Sequence, residues 1–173
     1  MKRFFLSIFT IITLFTNAAF CDEKILFIDM DRVISTSNSG VSILEQLNKI
    51  NKKNILFFNK EEKIFKEKEL KIISQKNIIS ETDFNSKVKK LKTEINDYNQ
   101  KKNKMINNFK KLKADNTNKL SMSINKILVE YSVDNSISFI LQKKNLIIGK
   151  TELDITDKII KIVNKKVSKF KVE

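Results

Sequence analysis

The chain has no proline, no tryptophan and no histidine, only two glycines, Gly40 and Gly149, and a single cysteine, Cys21. Without proline and with so little glycine, almost nothing breaks a helix. Without histidine, and with Cys21 at the end of an expected leader, the mature chain lacks the side chains of common transition-metal sites and of Ser-His or Cys-His nucleophilic centres. No glycine-rich phosphate loop is present either. The expectation is therefore a protein that is not an enzyme and carries no cofactor. Asp29 and Asp31 flank Met30 and could be drawn as an acid pair. Carboxylates at i, i+2 beside a strand are more often a solvated edge or a helix cap. Acidic charge is itself short: 34 Lys and Arg stand against 20 Asp and Glu, a net charge of +14. That excess suits acidic partners such as anionic lipid heads, nucleic acid or acidic protein segments, without choosing among them.

Residues 1–21 read as a secretory signal peptide. Lys2-Arg3 precede an apolar run from Phe4 to Phe15, and small residues follow around Ala18-Ala19. The run is too short to span a bilayer. Cleavage is expected after Cys21, with cuts near Ala18 or Ala19 as alternatives. A lipoprotein role for Cys21 would want a small residue before it, and Phe20 is bulky. Cleavage after Cys21 leaves no cysteine and hence no disulfide. The mature chain is expected to be soluble outside the cytoplasm.

What is abundant is helical periodicity. Phe84, Val88, Leu91, Ile95, Tyr98, Lys102, Met105, Phe109 and Leu112 step by fours and threes, the spacing of a coiled-coil seam broken only at Lys102. Leu44, Phe58, Phe65, Ile72 and Ile79 form a second stripe, with Ile43, Ile50, Phe57, Ile64 and Ile78 one position behind. Two such stripes predict a hairpin over residues 42–131. The reversal is expected near Ser80-Glu81-Thr82-Asp83, and Ser42 with Glu45 is expected to form a capping box at its start. An arm of roughly 60 Å follows from ~1.5 Å per residue. No globular core spans that distance, so it must project.

Strand character lies at both ends. Lys24 to Met30 predicts a buried strand, Asp31 to Ile34 a turn of helix, and Ser136–Leu141 and Leu146–Ile148 two further strands joined by a polar turn. Asp154 is expected to cap a last helix with Ile155, Ile159, Ile160, Val163 and Val167 on its apolar face. A body built from residues 22–41 and 132–173 would be a marginal core for one chain, which oligomerisation usually remedies.

Lys24-Ile25-Leu26-Phe27-Ile28-Asp29-Met30-Asp31-Arg32-Val33, the later Gly40, the long charged hairpin and Asp154-Ile155-Thr156 before an apolar helix together resemble the Skp (OmpH-like) family of periplasmic chaperones. The resemblance covers the whole mature chain. It implies an α+β, mostly helical homotrimer, in which a long antiparallel helical hairpin, the tentacle, projects from each subunit. Trimerisation closes the small β-barrel body. It further implies an ATP-independent holdase that keeps unfolded outer-membrane proteins in a cavity between tentacles and delivers them for outer-membrane assembly. The chain departs from the family in its richness in Lys, Asn and Ile, and in Gly149, which falls where a strand residue is expected.

Six lysines, Lys101, Lys102, Lys104, Lys110, Lys111 and Lys113, crowd a stretch without an acid. They read either as a solvated face or as attraction for acidic client segments, lipopolysaccharide phosphates or anionic lipid. The resemblance implies lipopolysaccharide or client contact for Lys101, Lys110 and Lys111. Phe57, Phe58, Phe65, Phe84 and Phe109 are assigned to the hairpin seam rather than to client contact; a surplus apolar stripe facing the cavity, for example Leu56 and Ile73, would be the more telling sign of a client surface. Two other classes compete: a nucleic-acid-binding coiled coil would explain the charge, and an envelope spacer would explain the arm. The leader disfavours the first, and the terminal strands are superfluous to the second.

Overall fold

The computed structural model describes residues 23–172. The expected signal peptide, Cys21 included, lies outside the described residues. Strand β1 (Lys24–Ile28) is followed by helices α1 (Met30–Thr36), α2 (Asn38–Ser74) and α3 (Glu81–Asp134), strand β2 (Ile137–Gln142) and helix α4 (Thr156–Lys166). Short 3-10 turns at Lys143–Asn145 and Thr151–Leu153 link β2 to α4.

Asp29 opens α1 as its cap, its side chain accepting the Arg32 N–H at 2.9 Å. Ser37 then closes α1 and caps α2, its buried hydroxyl accepting the Gly40 N–H at 3.3 Å. The expected capping box at Ser42 and Glu45 does not start the helix, because α2 already begins at Asn38. Ser42 lies within the helix, and its carbonyl and hydroxyl accept from Gln46 Nε2 at 3.2 and 3.3 Å. The sharp α1–α2 corner needs Gly40: a Cβ there would stand 1.6 Å from the Ile34 carbonyl oxygen. Only a residue with no side chain lets the two helices meet this closely.

Helix α2 has 37 residues and α3 has 54, lengths of about 55 and 80 Å at 1.5 Å per residue. The reversal falls earlier than expected. The chain turns over residues 75–80, where Gln75 accepts the N–H groups of Ile78 and Ile79 at 2.9 and 3.2 Å. Glu81, Thr82 and Asp83 already form the first turn of α3. Ser80 caps that turn by accepting the Asp83 N–H at 3.1 Å, and Glu81 and Asp83 suit the positive end of the helix dipole. The stripes meet as expected along most of the seam, but Leu44 and Ile78 are exposed.

At the root of the hairpin, Ile43 and Leu47 of α2 join Leu120, Ile124 and Ile127 of α3, Leu26 and Ile28 of β1, Val33 of α1, and Ile155, Ile159 and Val163 around α4 in one buried cluster. Strands β1 and β2 pair in parallel, with Leu26 opposite Ile140 and Phe27 opposite Leu141. Parallel pairing requires a long crossover, and the hairpin supplies it. On the other side of β1 a single bridge joins Phe27 to Asp154, and the Ile155 N–H donates to the Phe27 carbonyl at 3.0 Å.

The expected strand at Leu146–Ile148 is absent from this sheet. A 3-10 turn ends at Asn145, no regular structure follows up to Lys150, and Ile147 and Ile148 are 98% and 90% exposed. The outer edge of β2 has no strand beside it among the described residues, and this apolar segment does not take it up. Asp154 stands one residue before the N-cap of α4, Ile155, and still serves its start: its Oδ1 accepts the Thr156 N–H at 2.9 Å and the Thr156 hydroxyl. Thr156 Oγ1 in turn accepts the Asp29 N–H at 2.9 Å, and Lys143 Nζ donates to Asp154 Oδ2 at 2.8 Å. Burial pushes the Asp154 carboxyl up, but the hydrogen bonds from Lys143 and Thr156 outweigh it and hold the group below its ordinary value. The Asp154-Ile155-Thr156 motif is thus a knot joining β1, α1 and α4.

The Gly40→Ala variant should lose about 3 kcal/mol or more of stability, the upper end of overpacking costs, because the obstruction is backbone. Gly149→Ala should lose less, since its Cβ would meet only the Phe27 ring, at 2.7 Å. Urea unfolding of both variants checks this; a wild-type midpoint for Gly40→Ala would contradict it.

Candidate functional site

The seam of the arm contains a polar cluster. Tyr98, buried on α3, donates to the Phe58 carbonyl at 3.3 Å and to Glu62 Oε1 at 3.2 Å. Lys102, the residue that breaks the apolar run, donates to the same Glu62 oxygen at 2.6 Å. Its ammonium also stands 5.3 Å from the Phe58 ring centroid and 5.9 Å from that of Tyr98. The break in the seam is therefore matched by an acid on the facing helix. Bonds from Lys102 and Tyr98 hold the Glu62 carboxyl below its ordinary value, and Glu62 raises Lys102. Burial and then Glu62 push the Tyr98 hydroxyl up. Phe65 packs on Tyr98 with ring centroids 5.2 Å apart, and Phe57, Phe58, Phe84 and Phe109 are half-buried along the seam, as assigned.

The three singled-out lysines do not form one patch. At about 100° per residue, Lys110 lies about 180° round α3 from Lys101, and Lys111 about 80° from it. Lys101 flanks the seam with its ammonium 4.6 Å from the Phe57 ring centroid, a cation–π contact. Lys110 and Lys111 are exposed, with no acid paired to them among the described residues. Lys104 and Lys111, at heptad spacing, share one outer face; Lys110 and Lys113 share another. The cluster so dense in sequence is spread around the helix in space.

Apolar side chains stand outside the seam as well. Leu56, Leu70 and Ile73 of α2 are 69%, 59% and 57% exposed. Leu56 and Leu70 each lie two residues from a seam position, about 160° round the helix, so they point away from α3. Leu56 and Ile73 belong to the expected stripe; Leu70 was missed, although its place behind Ile72 marks it. Also missed was the outer face of the sheet. Ile25, Phe139 and Leu141 share the face of Phe27 by register and are exposed.

Fold and surface define a class, a long two-helix arm rooted in a small α/β base. The family model for outer membrane proteins of the OmpH-like kind matches residues 24–163, and the chain belongs to that family. Its fold is similar to that of an OmpH-like candidate outer membrane chaperone from Caulobacter crescentus CB15. The TM-score is 0.78 over 86% of this chain and 88% of that one. At 12% identity the likeness is one of fold. No curated protein matches the chain. Among the described residues, no helix is long and apolar enough to cross a membrane.

The Glu62 cluster makes a pH-dependent contribution with a definite sign. A carboxyl held below its ordinary value stabilises the folded chain above that value and loses the contribution as pH falls through the depressed one. Glu62→Gln removes the charge and keeps an oxygen acceptor for Tyr98. The variant should unfold at lower urea than wild type at neutral pH, and the difference should shrink as pH falls below the ordinary glutamate value of 4.5. A difference independent of pH would mean that the charge on Glu62 contributes nothing.

Proposed function

We propose that the chain is an ATP-independent periplasmic holdase that binds unfolded outer-membrane proteins between its tentacles and delivers them for outer-membrane assembly. The observation that carries this is the outward-facing set Leu56, Leu70 and Ile73, interspersed with Lys63 and Lys66 on an arm that needs none of them for its seam. Isolated apolar contacts of this kind are individually weak, so a client held by several stays mobile and leaves without a nucleotide cycle. Family membership and the leader sequence support a place in the periplasm.

In this proposal residues 42–131 form the arm, and residues 22–41 with 132–173 form a body that trimerises. Ile25, Phe139 and Leu141 on the uncovered sheet face, with Ile147 and Ile148 beside them in sequence, are apolar groups that one chain leaves in water. Three copies would close a β-barrel over them and give the Leu146–Ile148 segment an edge to pair with. The arms would then surround a cavity. Lys101, Lys110 and Lys111, facing different sides, act as a diffuse field that draws in acidic client segments or lipopolysaccharide phosphates rather than as one binding site.

Light scattering of the mature chain at micromolar concentration should return three times the monomer mass; a monomer would overturn the assembly. The mature chain should keep an unfolded outer-membrane protein soluble without ATP, and bind it more tightly than duplex DNA at matched moderate salt. Preference for DNA would favour the nucleic-acid alternative. Changing Lys101, Lys110 and Lys111 together to Gln should slow client association and flatten its salt dependence, since surface charges act mainly on encounter. Equal salt slopes for variant and wild type would return the lysines to a solvating role.

A further inference from the structure

After α4 the chain does not leave the base. Val167 adopts an extended backbone, and the segment Val167–Val172 runs back across the roots of α2 and α3. Side chains of α2 and α3 hold it. Ser39 of α2, itself buried, donates its hydroxyl to the carbonyls of Val167 and Ser168 at 3.1 and 3.3 Å. Gln46, also on α2, donates Nε2 to the Phe170 carbonyl at 2.8 Å and accepts the Val172 N–H on Oε1 at 3.1 Å. Lys119 of α3 places its ammonium 5.4 Å from the Phe170 ring centroid.

The Gln46 pair is informative. In an extended chain the carbonyl of one residue and the N–H two residues on point the same way, and a neighbouring parallel strand binds both with a single residue. Gln46 does the same with its side-chain amide, so it recognises extended backbone and not a particular side chain. Over residues 169–172 the side chains alternate: Phe170 and Val172 pack partly buried against the core cluster, while Lys169 and Lys171 are exposed; Val167, which also packs on the cluster, precedes this alternation. Beside the segment an open cleft of about 370 Å³ remains, lined by Ser123, Lys126, Ile127 and Glu130 of α3. The whole strap lies beyond the stretch matched by the family, which ends at residue 163.

We infer that the groove between the roots of α2 and α3 is a docking site for an extended peptide of alternating apolar and polar residues, and that Val167–Val172 occupies it as a displaceable strap. Transmembrane β-strands have this alternation, and adding an extended segment through backbone bonds is an established mode of peptide recognition. The natural occupant, an unfolded strand of an outer-membrane client, rests on the holdase proposal; the groove and strap do not.

A fluorescent peptide with the sequence of residues 167–172 tests the inference by anisotropy against the full chain and against a chain ending at Lys166. The peptide should bind the shortened chain at least tenfold more tightly than the full chain. A scrambled peptide that sets Phe and Val side by side should lose at least that factor. Gln46→Leu in the shortened chain should weaken the alternating peptide similarly, and in the full chain should speed hydrogen exchange at the Val172 amide. Should the shortened chain fail to fold, Phe170→Ser in the full chain releases the strap and carries the same comparison. Equal binding to strapped and unstrapped chains, or equal binding of alternating and scrambled peptides, overturns the inference. No client protein enters the comparison, so its failure is distinct from failure in the solubility assay.

Discussion

The parallel pairing of β1 with β2 is the constraint on which the architecture depends. Two adjacent parallel strands cannot be joined by a tight turn, so everything between Ile28 and Ile137 must leave at the carboxyl end of β1 and re-enter at the opposite end of the sheet, beside Lys24. A floppy connection of that length would carry a large closure entropy. Here the connection is two helices zipped face to face, and the returning one, 54 residues against 37, is long enough to carry the chain back past the base to the far end of the sheet with little freedom left. The buried cluster sits at the point of return, where Ile43 and Leu47 meet Leu120, Ile124 and Ile127 over Leu26 and Ile28.

Much of this was legible because it is periodic. The heptad stripes placed α2 and α3, the apolar run at Lys24 placed β1, and the spacing of Ile155, Ile159 and Val163 placed the face of α4 that is buried. What periodicity could not resolve was the choice among equivalent local signals. The stretch from Ser35 to Ser42 offers several serines able to cap a helix, and Ser37 prevails through the close approach of Gly40 to Ile34, a contact between two helices. Leu146–Ile148 has strand composition, but composition alone does not place a segment in a sheet, and the outer edge of β2 has no strand beside it among the described residues.

The candidate site divides along the same line. Lys102 looked like a flaw in the seam because its partner Glu62 lies on the other helix, at a separation that no local pattern reveals. The lysine cluster looked like a patch because sequence density was taken for spatial density, though the angle per residue separates Lys101 from Lys110. Gln46 carries no sequence signal at all: a polar residue one turn after Ser42 is ordinary on a helix. Its importance comes from a chain segment that returns from more than a hundred positions away.

Depth of burial along the arm is very uneven. In α2 the buried residues are Ser39, Gly40, Ile43 and Leu47, all near its root, and from there to Ser74 the described helix has none. In the outer part of α3 only Leu91 and Tyr98 reach that state before Asn116. A pair of helices with no third layer keeps its contacts when it bends, because each seam residue loses little packing as the axes curve together. Mechanically the arm is a cantilever, rigid where it is anchored and compliant toward its tip. What resists bending there is less burial than the side-chain bonds across the seam, Tyr98 and Lys102 to Glu62 and Lys68 to Glu94.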